Sequence, residues 1–290
     1  MDLAQIEKIK KLAIIAIVSD DYLMEQLVLK GGNAISLVYQ ISARASMDLD
    51  FSMPGDFEEE QMDSIQSKLE GLLKDTFQQE ELVVFDIRLI KKPDNIKQPD
   101  MMRFWGGYQI KFKVVPQSVY DSYSDNIESL RKYSTVIGPK DRKVFTIAIS
   151  KFEYCDDKVA KDIDGYTVYV YTTEMIAIEK IRAICQQQPE YREIVQRHTP
   201  NPRARDFFDI YTITQSYPMD FNSFRIKELL IACFKSKKVP LNLIHKINSQ
   251  REFHRTGYPS LRDTVKSDED LRGFDFYFDF VVAILDSITI

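Results

Sequence analysis

Three blocks of this 290-residue chain carry residue types and spacings suited to phosphate chemistry. The first runs from Lys30 to Asp50. There Gly31-Gly32 follows the apolar stretch Leu27-Val28-Leu29, and Asp48-x-Asp50 follows one short helical segment later. In a strand, residues i and i+2 project to one face, so Asp48 and Asp50 point together while Leu49 and Phe51 turn to the core. Neighbouring carboxylates repel unless a cation sits between them. A hard, oxygen-seeking ion such as Mg²⁺, or Mn²⁺ in its place, suits that position. Two glycines with no side chains in the way let backbone N–H groups approach phosphate oxygens. Glycine pair and Asp-x-Asp together imply a metal-bound triphosphate, the substrate of nucleotidyl or phosphoryl transfer. Each motif alone is an ordinary turn or strand edge; their order across one helix gives the signal.

The elements that must position these residues are legible in outline. Apolar residues at helical spacing predict a helix over 5–24, and the glycines predict strand, tight turn and helix, with Asn33 as N-cap of a helix reaching about Gln40. Met47–Met53 alternates as a strand and ends at Pro54-Gly55. An amphipathic helix is predicted over Phe57–Phe77, then strands over 82–90, 108–115, 143–151 and 166–171. Trp105-Gly106-Gly107 precedes no helix and reads as a turn entering a strand. From Thr173 onward the pattern is helical, with helices opening at Thr173-Glu174 and after Asn201-Pro202. The expectation is an α+β chain: a mixed sheet with helices over 1–170, then a helical C-terminal portion over 171–290 that completes the active site.

The second and third blocks lie in that helical portion. Lys180 has Ile176, Ala177, Ala183 and Ile184 at i±3 and i±4, which puts it on an apolar face. Spacing alone leaves two readings open, a contact with phosphates or a lysine snorkelling to solvent. Glu179 and Arg182, three apart, read as a surface ion pair. Asp206 and Asp209 share a helix face beside Arg203 and Arg205, which either bind phosphate or pair with these acids. Arg225–Arg255 holds eight bases against two acids, interleaved with Phe234, Phe253 and Tyr258, on a chain of net charge −5. That asymmetry is the signature of a polynucleotide surface, against a solvated helical face as the plainer reading. Cys155, Cys185 and Cys233 show no metal or disulfide spacing, which suits a reducing cytoplasm. His198, His245 and His254 have no mutual ligand spacing and receive no catalytic role. No run approaches the length of a membrane helix, and the N-terminus lacks a signal-peptide pattern.

Lys30-Gly31-Gly32-Asn33-Ala34-Ile35, with Arg44-x-Ser46-x-Asp48-Leu49-Asp50-Phe51, closely resembles the AbiEii/AbiGii toxin family of the DNA polymerase β-like nucleotidyltransferase superfamily. Thr173–Ile184 resembles that family's Glu-and-Lys helix, and Arg203–Tyr211 its Arg-Asp-x-x-Asp motif. The resemblance implies a polymerase β-like fold and a Mg²⁺-dependent transfer from a nucleoside triphosphate to an acceptor. It implies RNA as that acceptor, such as the tRNA 3′ end, and growth arrest or abortive infection restrained by a separately encoded antitoxin in a type IV pair. It assigns Asp48 and Asp50 to metal and catalysis. Lys30, Gly31, Gly32, Asn33, Arg44, Ser46 and Lys180 are assigned to the nucleotide, Lys180 also to catalysis, and Asp206 to the acceptor side of the active centre. Asp209 is expected to be structural. The related superfamily commonly places a third carboxylate on a neighbouring strand; the predicted strand over 108–115 has none, leaving Asp86 and Glu153 as candidates. Two other readings stay in view: an antibiotic-modifying nucleotidyltransferase, which needs the same Asp-x-Asp site but an acidic acceptor pocket, and a nucleotide-binding regulator without turnover, which that gap supports.

Overall fold

The computed structural model describes residues 3–41, 44, 46–94, 99–138, 140–196, 199–265 and 271–289. Its centre is a seven-stranded mixed sheet of β1 (Val28–Lys30), β2 (Leu49–Ser52), β3 (Leu82–Lys92), β4 (Gly107–Pro116), β5 (Phe145–Ser150), β6 (Val159–Ile163) and β7 (Tyr166–Val170). The spatial order is β3-β4-β5-β2-β1-β7-β6. β2 and β5 run parallel, as do β1 and β7, and the other pairs are antiparallel. The protein is α+β.

Alternation along β2 and β5 decides which side is core. Leu49, Phe51, Phe145, Ile147 and Ile149 are buried, and helices α1 (Leu3–Val18) and α2 (Met62–Gln78) pack together with the sheet. The opposite face carries Lys30, Asp50 and Ala148 in register across β1, β2 and β5. α3 (Thr173–Cys185) and α4 (Ala204–Ser216) pack on each other, and α5 (Phe224–Ser236) packs on α3. α6 (Phe274–Ser287) adds Phe278 to the stack on Phe207 of α4.

Several elements differ from the sequence reading. The single helix expected over 5–24 is two, because the Asp20 side chain accepts from the Leu23 N–H and caps a second helix over Asp21–Gln26. β6 has no strand signal in the sequence: it is an edge strand with its middle residues in solvent and so shows no apolar alternation. It joins β7 through Asp164-Gly165, both in the left-handed region as a two-residue hairpin turn requires. Two short helices, Gln117–Tyr123 and Ile127–Tyr133, fill what read as a connection.

Candidate active site

β1 stops at Lys30 because the chain turns at Gly31, whose φ of +68° is one that L side chains rarely adopt. The turn brings Gly31 against β2, where a Cβ would lie 2.8 Å from Asp50 Oδ2. At Gly32 a Cβ would meet Ser46 Cβ at 2.9 Å and Oγ at 3.0 Å. The glycine pair therefore makes room for the carboxylate and the serine as well as opening the backbone to a ligand.

Asn33 does not cap the helix. Lys30 occupies the cap position, the helical segment ends at Val38, and Gln40 lies beyond it in the left-handed region. Asn33 is buried in the first turn instead, where its Nδ2 donates to the Asp48 carbonyl at 2.5 Å. Lys10 of α1 donates to the Ser46 carbonyl. The two side chains fix the approach to β2, so Asn33 is a positioning residue and does not line the cleft.

Asp48 and Asp50 differ sharply in environment. Asp48 is 44% exposed at its side chain and accepts from Arg142 Nη2 at 2.7 Å. Among the described residues the Asp50 carboxylate has no hydrogen bond or ion pair. Burial pushes its pKa up to about 6; Lys30 opposes the shift, and Glu179 and Asp48 add to it. The Asp50 charge faces the cleft without a counter-ion beside it among those residues.

α3 begins where Thr172 accepts from the Met175 N–H at 3.2 Å, and it lowers Lys180 towards the sheet. The Lys180 ammonium does not snorkel. It is buried, 3.1 Å from Asp206 Oδ1 and 2.5 Å from Asp209 Oδ2. Burial disfavours its charge, but the Asp209 and Asp206 carboxylates outweigh that and hold it protonated. Arg44 donates from Nε and Nη2 to the two Asp209 oxygens, at 2.6 and 2.5 Å, and Arg203 Nε lies 2.5 Å from Asp206. Despite burial, Arg44 and Lys180 hold Asp209 well below the usual carboxylate range, and Arg203 and Lys180 do the same for Asp206. An acid so firmly ionised is a weak proton acceptor, so Asp206 is better suited to orienting Lys180 and Arg203 than to acting as a base.

Glu179 departs from its sequence reading as a surface pair. Its side chain is 15% exposed and pairs with Lys30 Nζ and, at 3.5 Å, with Arg182. Glu153 is buried under Arg182 at 2.7 Å, Lys237 at 3.5 Å and Lys30 at 3.6 Å. Asp86 sits where the β3–β4 register shifts, clamped by Arg131 at 2.8 Å and Lys113 at 3.3 Å. Neither candidate supplies a free third carboxylate. On the neighbouring strand the residue in register with Asp50 is Ala148, and among the described residues no group of three His, Cys, Asp or Glu is arranged to hold a metal.

These elements enclose a cleft of about 840 Å³. Gly31, Gly32, Ser46, Asp48 and Asp50 form one wall, and Lys30 and Arg44 also border it. Lys180, Arg203, Arg205 and Asp206 form the opposing wall. Of the residues assigned from sequence, only Asn33 is absent from the lining. Arg142, Thr256 and Ser260 also line the cleft, and no sequence signal ties them to it. His254 is fully buried, accepts from the Arg203 N–H at Nδ1, and has a pKa pushed down to about 4 by that burial. His198 lies outside the described residues.

The basic stretch over 225–255 is not one open cationic surface. Lys237 is buried, donates to the Phe104 carbonyl at 3.2 Å, and is lowered to about 8 by burial. Arg251 and Arg255 bind Asp275 at 2.9 and 2.5 Å, Arg251 also reaches Asp279 at 2.5 Å, and Lys246 pairs with Glu190 at 2.7 Å. Phe234 is core.

The profile of the family described as nucleotidyl transferase AbiEii toxin, type IV toxin–antitoxin system, matches residues 14–280. The chain belongs to the AbiEii nucleotidyltransferase toxin family. No curated protein matches this AbiEii-family chain by sequence. Among solved structures, a Helicobacter pylori chain assigned as a nucleotidyltransferase aligns over 98% of this chain and 92% of its own, at 17% identity and a TM-score of 0.48. H. pylori JHP933 aligns over 98% and 90%, at 15% identity and a TM-score of 0.48. ANT(2")-Ia, solved with adenylyl-2"-tobramycin, aligns over 81% and 99%, at 15% identity and a TM-score of 0.34. No described helix of the AbiEii-family chain is long and apolar enough to cross a membrane.

Proposed function

We propose that this AbiEii-family chain transfers a nucleotidyl group from a nucleoside triphosphate to an RNA hydroxyl, the tRNA 3′ end being the favoured acceptor. It would act in the cytoplasm as the toxin of a type IV pair, restrained by a separately encoded antitoxin. The observation that carries the reading is the unpartnered, half-buried Asp50 beside Asp48 at the Gly31-Gly32 turn, facing a cleft walled by Lys180, Arg203 and Arg205. Two carboxylates lining one cleft, Asp50 on β2 and Asp48 at the bend just before it, one of them lacking any cation, fit Mg²⁺ or Mn²⁺. When bound, the ion would neutralise triphosphate charge and complete the Asp48–Asp50 pair.

The chain's own residues do the remainder. Gly31 and Gly32 let the triphosphate approach the backbone, and Ser46 and Arg44 border that position. Arg203 and Arg205 offer guanidinium groups to the phosphates, with Arg205 steadied by Ser260 Oγ at 2.6 Å. Lys180 supplies a fixed positive charge in a water-poor wall, held by Asp206 and Asp209, where it stabilises charge developing at phosphorus. Transfer forms the bond from the acceptor oxygen to the α-phosphorus, breaks the bond from that phosphorus to the departing pyrophosphate, and releases the acceptor's hydroxyl proton to solvent.

Ala148 in place of a third strand carboxylate favours a second reading, a nucleotide-binding regulator without turnover. Incubation with each labelled nucleoside triphosphate, total RNA and Mg²⁺ separates them. The proposal expects label on RNA with the parent chain and none with Asp50→Asn. Tight nucleotide binding with no label transferred from any triphosphate favours the regulator.

A further inference from the structure

A second cleft of about 540 Å³ opens beside the first and shares Lys30, Ser150, Glu179, Ala183 and Arg203 with it. Sheet register explains why the two meet. Asp50 of β2 pairs with Ala148 of β5, which pairs with Gln109 of β4. Residues in register share a face, so the row that carries Asp50 continues outward to Gln109. The next row on that face runs Ser52, Ser150, Gly107 and Lys92. Strands lie about 4.8 Å apart, so Gln109 stands roughly 10 Å from Asp50, about the span of one nucleotide.

The lining has a definite chemistry. Trp105 borders the cleft, with Tyr191 and the Lys237 ammonium packed at 6.1 and 5.9 Å from its ring. Gly106 and Gly107 add no side chain, and at Gly107 a Cβ would sit 1.9 Å from the Ile149 carbonyl oxygen, so the floor beside the indole must stay flat. The Gln109 amide has no partner among the described residues and offers a donor and an acceptor together. Lys92 and Arg203 stand at the border, 41% and 37% exposed at their side chains. Lys92 pairs with the exposed Asp94 at 2.8 Å, a surface contact of little worth that a phosphate can replace, and Arg203 pairs with Asp206 through Nε. The two acids of the lining, Glu153 and Glu179, are both occupied by Lys30, Arg182 and Lys237. Nothing there is left to bind a polycationic acceptor such as an aminoglycoside.

We infer that this second cleft is the acceptor subsite, which takes the end of a single-stranded polynucleotide with a base stacked against Trp105, its edge read by Gln109 and its phosphates held by Lys92 and Arg203. The inference rests on the transfer reading above and gives its acceptor a place. A donor over Gly31-Gly32 and an acceptor over Trp105 would meet beside Asp50, which lines the first cleft, across the Lys30, Ser150 and Arg203 border that the two clefts share. Aromatic stacking of this kind tolerates any base, so recognition would come from the strand end and the Gln109 contact.

Trp105 is the sole tryptophan of the chain, which gives a readout independent of turnover. Titrating the full chain with a short oligoribonucleotide, without triphosphate, should change its tryptophan emission saturably, and salt should weaken the effect. With an end-labelled oligonucleotide followed by anisotropy, Trp105→Leu should lose roughly five- to 150-fold in affinity, the range measured for single base–aromatic stacks. Trp105→Phe should retain most of it, and triphosphate affinity should be unchanged in both. Lys92→Glu, at a solvent-accessible position, should also weaken the oligonucleotide, and it answers the question if the tryptophan variants fold poorly. Emission that stays constant while the oligonucleotide binds overturns the subsite, as does parental affinity in both Trp105→Leu and Lys92→Glu. RNA labelling with an unchanged acceptor KM in Trp105→Leu removes the subsite but leaves the transfer reading standing. Quenching by RNA in a chain that transfers nothing upholds the subsite and removes the transfer reading. Quenching by an aminoglycoside but not by RNA overturns it.

Discussion

Replacing Gly31 by Ala tests whether the glycine turn exists for the sake of Asp50. Two costs separate cleanly. The backbone cost is that of an L residue at φ +68°, about 1–2 kcal/mol. The crowding cost comes from a methyl placed 2.8 Å from Asp50 Oδ2, 3.3 Å from its Cβ and 3.4 Å from its Cγ. Gly165 isolates the first, since its φ is +89° but a Cβ there meets nothing within 4 Å. Gly165→Ala should therefore lose about 1–2 kcal/mol and no transfer activity. Gly31→Ala should lose more, about 2–4 kcal/mol, because the carboxylate must shift or the turn must open. A displacement approaching 1 Å at a reacting centre costs on the order of a hundredfold in rate, and that is the loss expected here. Urea denaturation gives the stabilities, and RNA labelling at saturating Mg²⁺ gives the rates. A Gly31→Ala chain with parental turnover, or a Gly165→Ala chain equally impaired, would refute the reasoning.

Asp50→Asn should stabilise the metal-free chain at pH 8 by about 3 kcal/mol, because a pKa raised to about 6 means ionisation is penalised in the fold. The sign follows: the penalty is complete above pH 6 and gone below the usual carboxylate value, so the two chains should melt together at pH 3.5, and Mg²⁺ should raise the melting temperature of the parent only. Lys180→Met should destabilise by about 3–5 kcal/mol in urea, because it leaves two buried carboxylates with one cation fewer; a change under about 1 kcal/mol would mean the pair is solvated. His254 is depressed to about 4, so the unfolded chain binds its proton first and stability falls as pH drops from about 6.5 to 4, by about 3 kcal/mol in total. His254→Asn, which keeps an acceptor for the Arg203 N–H, should flatten that part of the stability–pH curve, and parallel curves would count against the assignment.

Local chemistry in the sequence determined a good deal. Gly31-Gly32 before Asp48-x-Asp50, with alternation putting Leu49 and Phe51 in the core, specified strand, turn, helix and strand; the structure has that order, with Asp50 on β2 and Asp48 at the bend just before the strand begins at Leu49. Thr172 capping α3 and the helical spacing around Lys180 were likewise written locally. What the sequence left undecided is partnership at long range. Glu179 and Arg182 read as a surface pair because their spacing is local, yet the glutamate's nearest cation is Lys30, 149 residues away, and its side chain is 15% exposed. The bases over 225–255 read as a polynucleotide surface because charge summed along the chain omits Asp275, Asp279, Glu190 and Glu153, which folding brings against them. Trp105 read only as part of a turn, since nothing near it in sequence shows that β4 lies two strands from Asp50. A side chain's type, its backbone preference and its face of an element are properties of a few neighbouring residues. Whether a charge is free, paired or buried depends on which distant segments share its space, and that is decided by the order of the strands and the packing of helices over them.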